Sequence, residues 1–69
     1  MNIEEVGVLI RRRRTSLGID QRKLSEIAGI AVHTLSNIEA GNGNPTVVTL
    51  DRVLHALGME LRINVKRQE

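Results

Sequence analysis

The sequence predicts a mainly α-helical domain of four short helices, followed by a C-terminal β-strand. Three observations support this prediction. Apolar residues recur every three or four positions in four segments, glycine follows each segment, and the last apolar residues alternate with polar ones. The chain has 69 residues, enough for one domain. We divide it into a helical domain, residues 1–58, and a strand with a short tail, residues 59–69.

The first helix is expected over residues 3–17. Asn2 is a suitable N-cap, and Glu4 and Glu5 lie near the positive end of the helix dipole. Gly18 is expected to end the helix. The apolar face of this helix is predicted to contain Val6, Leu9, Ile10 and Leu17.

Two further helices are expected over residues 21–28, after the N-cap Asp20, and over residues 32–40, before Gly41. About three residues, including Gly29, separate them, so the two helices must cross steeply. This arrangement is typical of a helix-turn-helix. The inward-facing residues of the pair are predicted to be Leu24, Ile27, Ala28, Leu35 and Ile38.

The fourth helix is expected over residues 47–57, after a polar loop at residues 42–45. Thr46 is a suitable N-cap, and Gly58 is expected to end the helix. Its apolar face is predicted to consist of Leu50, Val53, Leu54 and Leu57.

Residues 59–66 have the strict two-residue alternation of a half-buried strand. The alternative partner within the chain is residues 46–49, which are rich in β-branched side chains but lie at the start of the fourth helix. Otherwise the strand must pair with the same segment of a second chain, antiparallel across a two-fold axis. The dimer interface is then predicted to contain Met59, Leu61, Ile63 and Val65.

The composition excludes several classes of function. The chain has no cysteine, so we expect no disulfide or thiolate metal site, and a cytoplasmic location is predicted. No apolar run approaches the roughly 20 residues of a membrane span, and we expect no signal peptide. The absence of Phe, Trp and Tyr disfavours binding of single-stranded nucleic acid by base stacking. A net charge of +2 is compatible with binding duplex DNA.

The sequence contains no arrangement typical of an enzyme. His33 and His55 are too far apart in the pattern to bind one metal ion, and Asp51 with His55 is typical of a surface pair one helical turn apart. There is neither a nucleophile motif nor a glycine-rich phosphate loop. We therefore predict no catalytic residue, no cofactor and no metal.

The central part of the chain carries a more specific pattern. It consists of Arg14, Gly18-Ile19-Asp20-Gln21, residues 24–30, residues 34–41, Asn44-Pro45-Thr46, Leu50 and Ala56-Leu57-Gly58. This pattern resembles the phage repressor and Cro (XRE) family of helix-turn-helix domains. The resemblance implies that the third helix enters the major groove of double-stranded DNA. Two departures are Ala31, where the family often has a capping Ser or Thr, and the loop after Gly41, which lacks the family's basic residues.

The resemblance also implies roles for individual residues. Those expected to contact bases are Val32, His33, Ser36 and Asn37. Those expected to contact the DNA backbone are Gln21, Arg22, Thr34, Asn42 and Asn44. The alternative is that these are ordinary exposed helix and loop residues.

Arg14 and Glu39 correspond to the family's structural ion pair between the first helix and the recognition helix. Arg14 ends a run of four arginines that begins at Arg11, but four consecutive helical residues point in different directions. The other three are therefore expected to be solvated.

These features predict a dimeric transcriptional repressor that binds a palindromic operator. Because the domain ends directly in a strand, the layout also resembles HipB-like antitoxins, which bind their operator and neutralise a toxin such as a HipA-like kinase. The alternative function is a protein-interaction module that neutralises a partner without binding specific DNA. The basic-poor loop at Asn42 and Asn44 favours this alternative.

Overall fold

The computed structural model describes residues 2–67, and Met1 and the tail residues Gln68 and Glu69 lie outside this range. The described chain forms four helices: α1 (Ile3–Ser16), α2 (Gln21–Ala28), α3 (Val32–Glu39) and α4 (Val47–Ala56). The predicted mainly helical four-helix fold is therefore confirmed. The predicted boundaries differ from the observed ones only by one residue at the C-terminal ends of α1, α3 and α4.

Three of the four helices begin with the side-chain cap that the sequence predicts. Asn2, Asp20 and Thr46 each accept a hydrogen bond from the backbone N–H three residues later, at 2.8, 2.7 and 3.1 Å. α3 follows Ala31, which has extended backbone angles but offers no side-chain acceptor. The first turn of α3 therefore has backbone N–H groups that no cap satisfies.

The turn between α2 and α3 depends on Gly29. This residue has a φ of 71°, in the left-handed region that glycine adopts without strain. The next backbone N–H, of Ile30, donates to the carbonyl of Ser25 at 3.0 Å. The chain thus reverses within three residues, and α3 starts immediately after Ala31.

The hydrophobic core lies between the inner side of α3 and the other three helices. Helix α1 packs against α3, and α2 packs against both α3 and α4. With its inner side covered by α1 and α2, α3 keeps its outer side open to solvent. The buried apolar residues are Ile10, Leu24, Ala28, Leu35, Ile38, Val53, Leu54 and Leu57.

Three predicted core positions are wrong. Ile27 is 54% exposed, and Leu9 and Leu17 are about half exposed. At about 100° per residue, Ser25 and Ile27 lie about 80° to either side of the direction shared by Leu24 and Ala28, so the helical pattern alone does not decide which of them is buried. Ser25 lies on the buried side instead, and its hydroxyl donates to the Arg22 carbonyl at 2.7 Å. Leu17 lies beyond the last helical residue of α1.

The backbone of α1 lies in direct contact with the backbone at the end of α3, a contact that was not predicted from the sequence. Gly7 is buried at their contact. A Cβ atom on this residue would overlap the carbonyl oxygen of Ile38 and lie 3.0 Å from that of Glu39. Only glycine therefore allows α1 to lie this close to the end of α3.

Arg13 is exposed, as predicted, but it also makes one contact that the sequence did not predict. Its Nε–H donates to the carbonyl oxygen of Leu57 at 2.9 Å. This oxygen belongs to the end of α4, where backbone carbonyls lack partners within the helix. Arg13 thus links α1 to the C-terminal end of α4.

The C-terminal segment forms no strand within the described residues. Pairing with residues 46–49 is excluded because Val47–Ala56 is helical. Met59 and Leu61 are half-buried against the core, whereas Ile63 and Val65 are 91% and 98% exposed. The strand and its sheet remain a prediction, since the chain described here contains no partner strand for them.

Candidate nucleic-acid interface

The outer side of α3 presents the residues that the sequence analysis expects to contact bases. Val32 and His33 are exposed, and Ser36 and Asn37 are half-buried. All four belong to the eight-residue α3, whose inner side is fixed in the core by Leu35 and Ile38. The helix therefore holds this surface on a rigid support.

A shallow depression of about 170 Å³ lies between α3 and the following loop. It brings together one residue predicted to contact bases, Asn37, and three predicted to contact the DNA backbone, Thr34, Asn42 and Asn44. Their side chains are hydroxyl and amide groups, which can donate hydrogen bonds without carrying charge. Ile38, Gly43 and Pro45 complete the lining.

Gln21 lies in a different environment from these loop residues. It is the first residue of α2, and its Nε2–H donates to Oε1 of Glu39 at 3.2 Å. The same carboxylate receives two hydrogen bonds from Arg14, from Nε to Oε2 at 2.7 Å and from Nη2 to Oε1 at 2.9 Å. Arg14 Nη1 additionally donates to the Ile19 carbonyl at 2.9 Å. The Arg14–Glu39 pair thus joins α1, α2 and α3.

The ion pair is shielded from water, with side-chain exposures of 12% for Arg14 and 3% for Glu39. The hydrogen bond to Glu39 raises the pKa of the Arg14 guanidinium. Burial lowers it by a smaller amount, and the charges of Glu39 and Asp20 raise it further. A raised folded-state pKa means that this stabilisation is lost only at strongly alkaline pH.

Five of the nine predicted contact residues do not line the depression, namely Gln21, Arg22, Val32, His33 and Ser36. Arg22 is exposed on α2, beside Gln21. His33 lies one helical turn before Asn37, whose Nδ2 is 3.3 Å from His33 Nε2. Gln21 is thus joined to Glu39, and His33 is joined to Asn37. Neither contact was predicted from the sequence.

No group of histidine, cysteine, aspartate and glutamate side chains within residues 2–67 is arranged to hold a metal ion. Over the same residues, no helix is long and apolar enough to cross a membrane.

Comparison with known proteins identifies the family. Residues 10–64 match the family described as Helix-turn-helix. The chain belongs to this helix-turn-helix family, of the Cro/C1 type. It is 36% identical over 52 residues to an HTH-type transcriptional regulator of Methanothermobacter thermautotrophicus, covering 75% of each chain. It is also 37% identical over 54 residues to one of Sinorhizobium fredii, covering 78% of this chain and 70% of that one.

Two solved structures have a similar fold. The clp gene regulator ClgR from Corynebacterium glutamicum superposes with a TM-score of 0.79 at 31% identity, covering 84% of this chain and 62% of ClgR. The restriction-modification controller protein C.AhdI from Aeromonas hydrophila gives a TM-score of 0.80 at 26% identity, covering 84% and 88%. The chain therefore spans less than two thirds of ClgR but most of C.AhdI.

Of the two helices that form the helix-turn-helix motif, α2 is the first and α3, the proposed recognition helix, is the second.

Two residues that position α3 and its surroundings were not predicted from the sequence, namely Gly7 and Ser25. Gly7 carried a usable signal, because glycine inside a helix is unfavourable by about 1 kcal/mol and requires a packing reason. Ser25 carried none, since its burial depends on how α2 is rotated.

Proposed function

We propose that this protein is a transcriptional repressor that binds a specific sequence of double-stranded DNA as a dimer. The observation that carries the proposal is the outer side of α3, where Val32, His33 and Asn37 are accessible on a helix held by the core. A helix with its side chains is about 10–12 Å across, so a helix such as α3 fits into the major groove, which is about 12 Å wide.

The side chains on α3 match groups on base edges. The Asn37 amide matches N6 and N7 of adenine, and the Val32 side chain suits the methyl group of thymine. His33 can donate to an acceptor on guanine, and Ser36 is a further candidate for base contact. Glu39 is the only acidic residue of α3, and its carboxylate is buried and paired with Arg14. The outer side of the helix thus presents no negative charge to phosphates.

The residues around α3 are suited to hold the phosphate backbone. Thr34, Asn42 and Asn44 offer hydrogen-bond donors in one depression, and Gln21 lies at the start of α2. Arg22 adds a positive charge beside Gln21. Phosphate contacts of this kind set the position of the helix on the duplex, while base contacts determine the sequence that it reads.

Two substitutions test this division of roles. Asn37→Ala is expected to weaken binding to the cognate site by about 1–3 kcal/mol and to have little effect on random DNA. Gln21→Ala is expected to weaken both by similar factors, because phosphates carry no sequence information. The measurement is titration of both variants on duplexes selected by the unaltered protein and on scrambled duplexes. Equal weakening by Asn37→Ala on both duplexes would show that α3 does not read the sequence.

The proposal of a dimer is supported by the C-terminal segment. An apolar cleft of about 130 Å³ opens between α1, α4 and this segment. Beyond the cleft, Ile63 and Val65 are exposed with no covering element among residues 2–67. Pairing of two C-terminal segments would cover these side chains and set two α3 helices about 34 Å apart. The cleft is lined by Val6, Leu9, Leu50, Leu54, Met59, Glu60 and Leu61.

Leu61→Lys tests the dimer, because it places a charge in the proposed apolar interface. The expected result is a monomer with lower stability and much weaker operator binding, and truncation after Gly58 should act in the same way. Asn64→Lys, at an exposed position of the same segment, is the matched control. Light scattering gives the molar mass, alongside DNA titration. An unaltered protein that is monomeric at micromolar concentrations would contradict the proposal.

A narrower proposal is that this repressor is the antitoxin of a toxin–antitoxin pair and regulates its own operon. Its partner would then be a toxin such as a HipA-like kinase. Its support is the resemblance to HipB-like proteins and the exposed apolar side chains of Ile63 and Val65. Co-expression with the product of a neighbouring gene tests it, with rescue of growth as the expected result. A protein-interaction module without specific DNA binding would instead show no salt-dependent retention on DNA.

A further inference from the structure

His33 and Asn37 contact each other on the outer side of α3. Asn37 Nδ2 lies 3.3 Å from His33 Nε2, across one helical turn. An amide nitrogen only donates hydrogen bonds, so this contact is a hydrogen bond in the tautomer of His33 that carries its proton on Nδ1 and accepts at Nε2. The nitrogen of His33 that faces Asn37 is therefore already engaged within the protein.

We propose that His33 is a specificity-determining residue that acts through Asn37. It orients the Asn37 amide toward one base pair, and this role replaces the separate contact with guanine for which its ring is otherwise a candidate. This inference rests on the proposed DNA-binding function and identifies how its central residue is positioned. Asn37 contacts the base, and His33 is a positioning residue because it acts through Asn37.

The orientation of the amide matters because its two ends differ chemically. The terminal torsion of an asparagine side chain is broad and roughly two-fold, so a free amide samples both orientations. Adenine offers a donor at N6 and an acceptor at N7, which requires the amide oxygen and nitrogen in one order. With one N–H directed to His33, Asn37 keeps its second N–H and its oxygen for adenine. The tautomer of His33 that accepts at Nε2 thereby selects the orientation in which the amide nitrogen faces the ring.

No other neighbour takes over this role within the described residues. Thr34, Asn42 and Asn44 line the same depression as Asn37, but none of them forms a hydrogen bond with its side chain among residues 2–67. Thr34 and Asn42 thus leave the amide free to rotate. His33 is the side chain that fixes it.

The test uses the full chain and a pool of DNA duplexes with a randomised core. The unaltered protein selects its preferred site, and Asn37→Ala identifies the base pair that Asn37 reads, by a loss of about tenfold in discrimination. We expect His33→Ala to lose about threefold at the same base pair, as for one weak hydrogen bond. The double variant should discriminate no worse than Asn37→Ala alone at that position.

Two further variants serve as controls. His55→Ala changes the other histidine of the chain, which is exposed on α4, and should leave all base preferences unchanged. His33→Lys offers only donors, so it should lose discrimination at the same base pair while its added charge keeps overall affinity at or above that of His33→Ala. If His33 had only a structural role, discrimination and overall affinity would fall together. Circular dichroism verifies that each variant is folded.

Loss of discrimination at a different base pair, with additive effects in the double variant, would overturn the proposal and make His33 an independent reader. Unchanged discrimination in His33→Ala would overturn it as well. If the unaltered protein selects no sequence from the pool, the DNA-binding function itself fails, which is a separate result.

Discussion

Arg14→Ala and Glu39→Ala each remove half of the ion pair that joins α1 to α3. Both side chains are shielded from water, at 12% and 3% exposure, so the remaining partner becomes an uncompensated buried charge. The expected loss is about 3–5 kcal/mol for each substitution. The two losses should differ, because Arg14 without Glu39 keeps its hydrogen bond to the Ile19 carbonyl and its long side chain reaches water more easily.

Glu39 without Arg14 is in a worse position. Its carboxylate is the more deeply buried of the two, and the Gln21 amide is its remaining hydrogen-bond donor among the side chains described. We therefore expect Arg14→Ala to cost more than Glu39→Ala. A domain of 69 residues has a free energy of unfolding of about 3–10 kcal/mol, so either substitution removes a large share of it.

Urea unfolding at low temperature, followed by circular dichroism, measures the four proteins of this double-mutant cycle. The double variant should lose less than the sum of the single losses, by about 0.5–3 kcal/mol. Glu26→Ala, at an exposed position of α2, is the control and should change stability by less than about 0.5 kcal/mol. Additive losses would refute the reasoning, since they would show that the two side chains do not interact in solution.

The remaining predictions concern helix packing and capping. Gly7→Ala is expected to destabilise the fold by about 1–3 kcal/mol in urea unfolding, because the added Cβ overlaps the Ile38 carbonyl and forces α1 away from α3. A loss below about 0.5 kcal/mol would contradict the close approach. Ala31→Ser is expected to stabilise the fold by about 0.5–1 kcal/mol, because it supplies the missing cap at a residue with suitable backbone angles. A thermal melt without an upward shift would count against this account.

The helices could be predicted from the sequence because their signals are local. The caps Asn2, Asp20 and Thr46 act on backbone groups three residues away, and the glycine after each helix marks its end. The predicted helix boundaries consequently match the observed ones closely. What could not be predicted is the rotation of α2, because burial of Ser25 in place of Ile27 depends on neighbours distant in sequence.

For the candidate interface, the residues could be predicted from the sequence, but some of their hydrogen bonds could not. Resemblance to the family supplied the residues on α3, and the structure gathers Asn37 with Asn42 and Asn44. Two hydrogen bonds between distant parts of the chain were not predictable, because they depend on how the helices pack and not on a local sequence pattern. The bond from Gln21 to Glu39 spans eighteen positions, and that from Arg13 to Leu57 spans forty-four. The strand predicted at residues 59–66 stays a prediction, because the described residues contain no strand with which it could pair.

The backbone contact at Gly7 has a consequence for how DNA is accommodated. The end of α3 rests directly on α1, and the Arg14–Glu39 pair secures the same end. A helix braced in this way has little freedom to tilt when it meets a duplex of different shape. In the proposed complex, adjustment must therefore come from the DNA, whose bending and groove width vary with sequence. Base pairs that the protein never touches would then influence affinity through their stiffness.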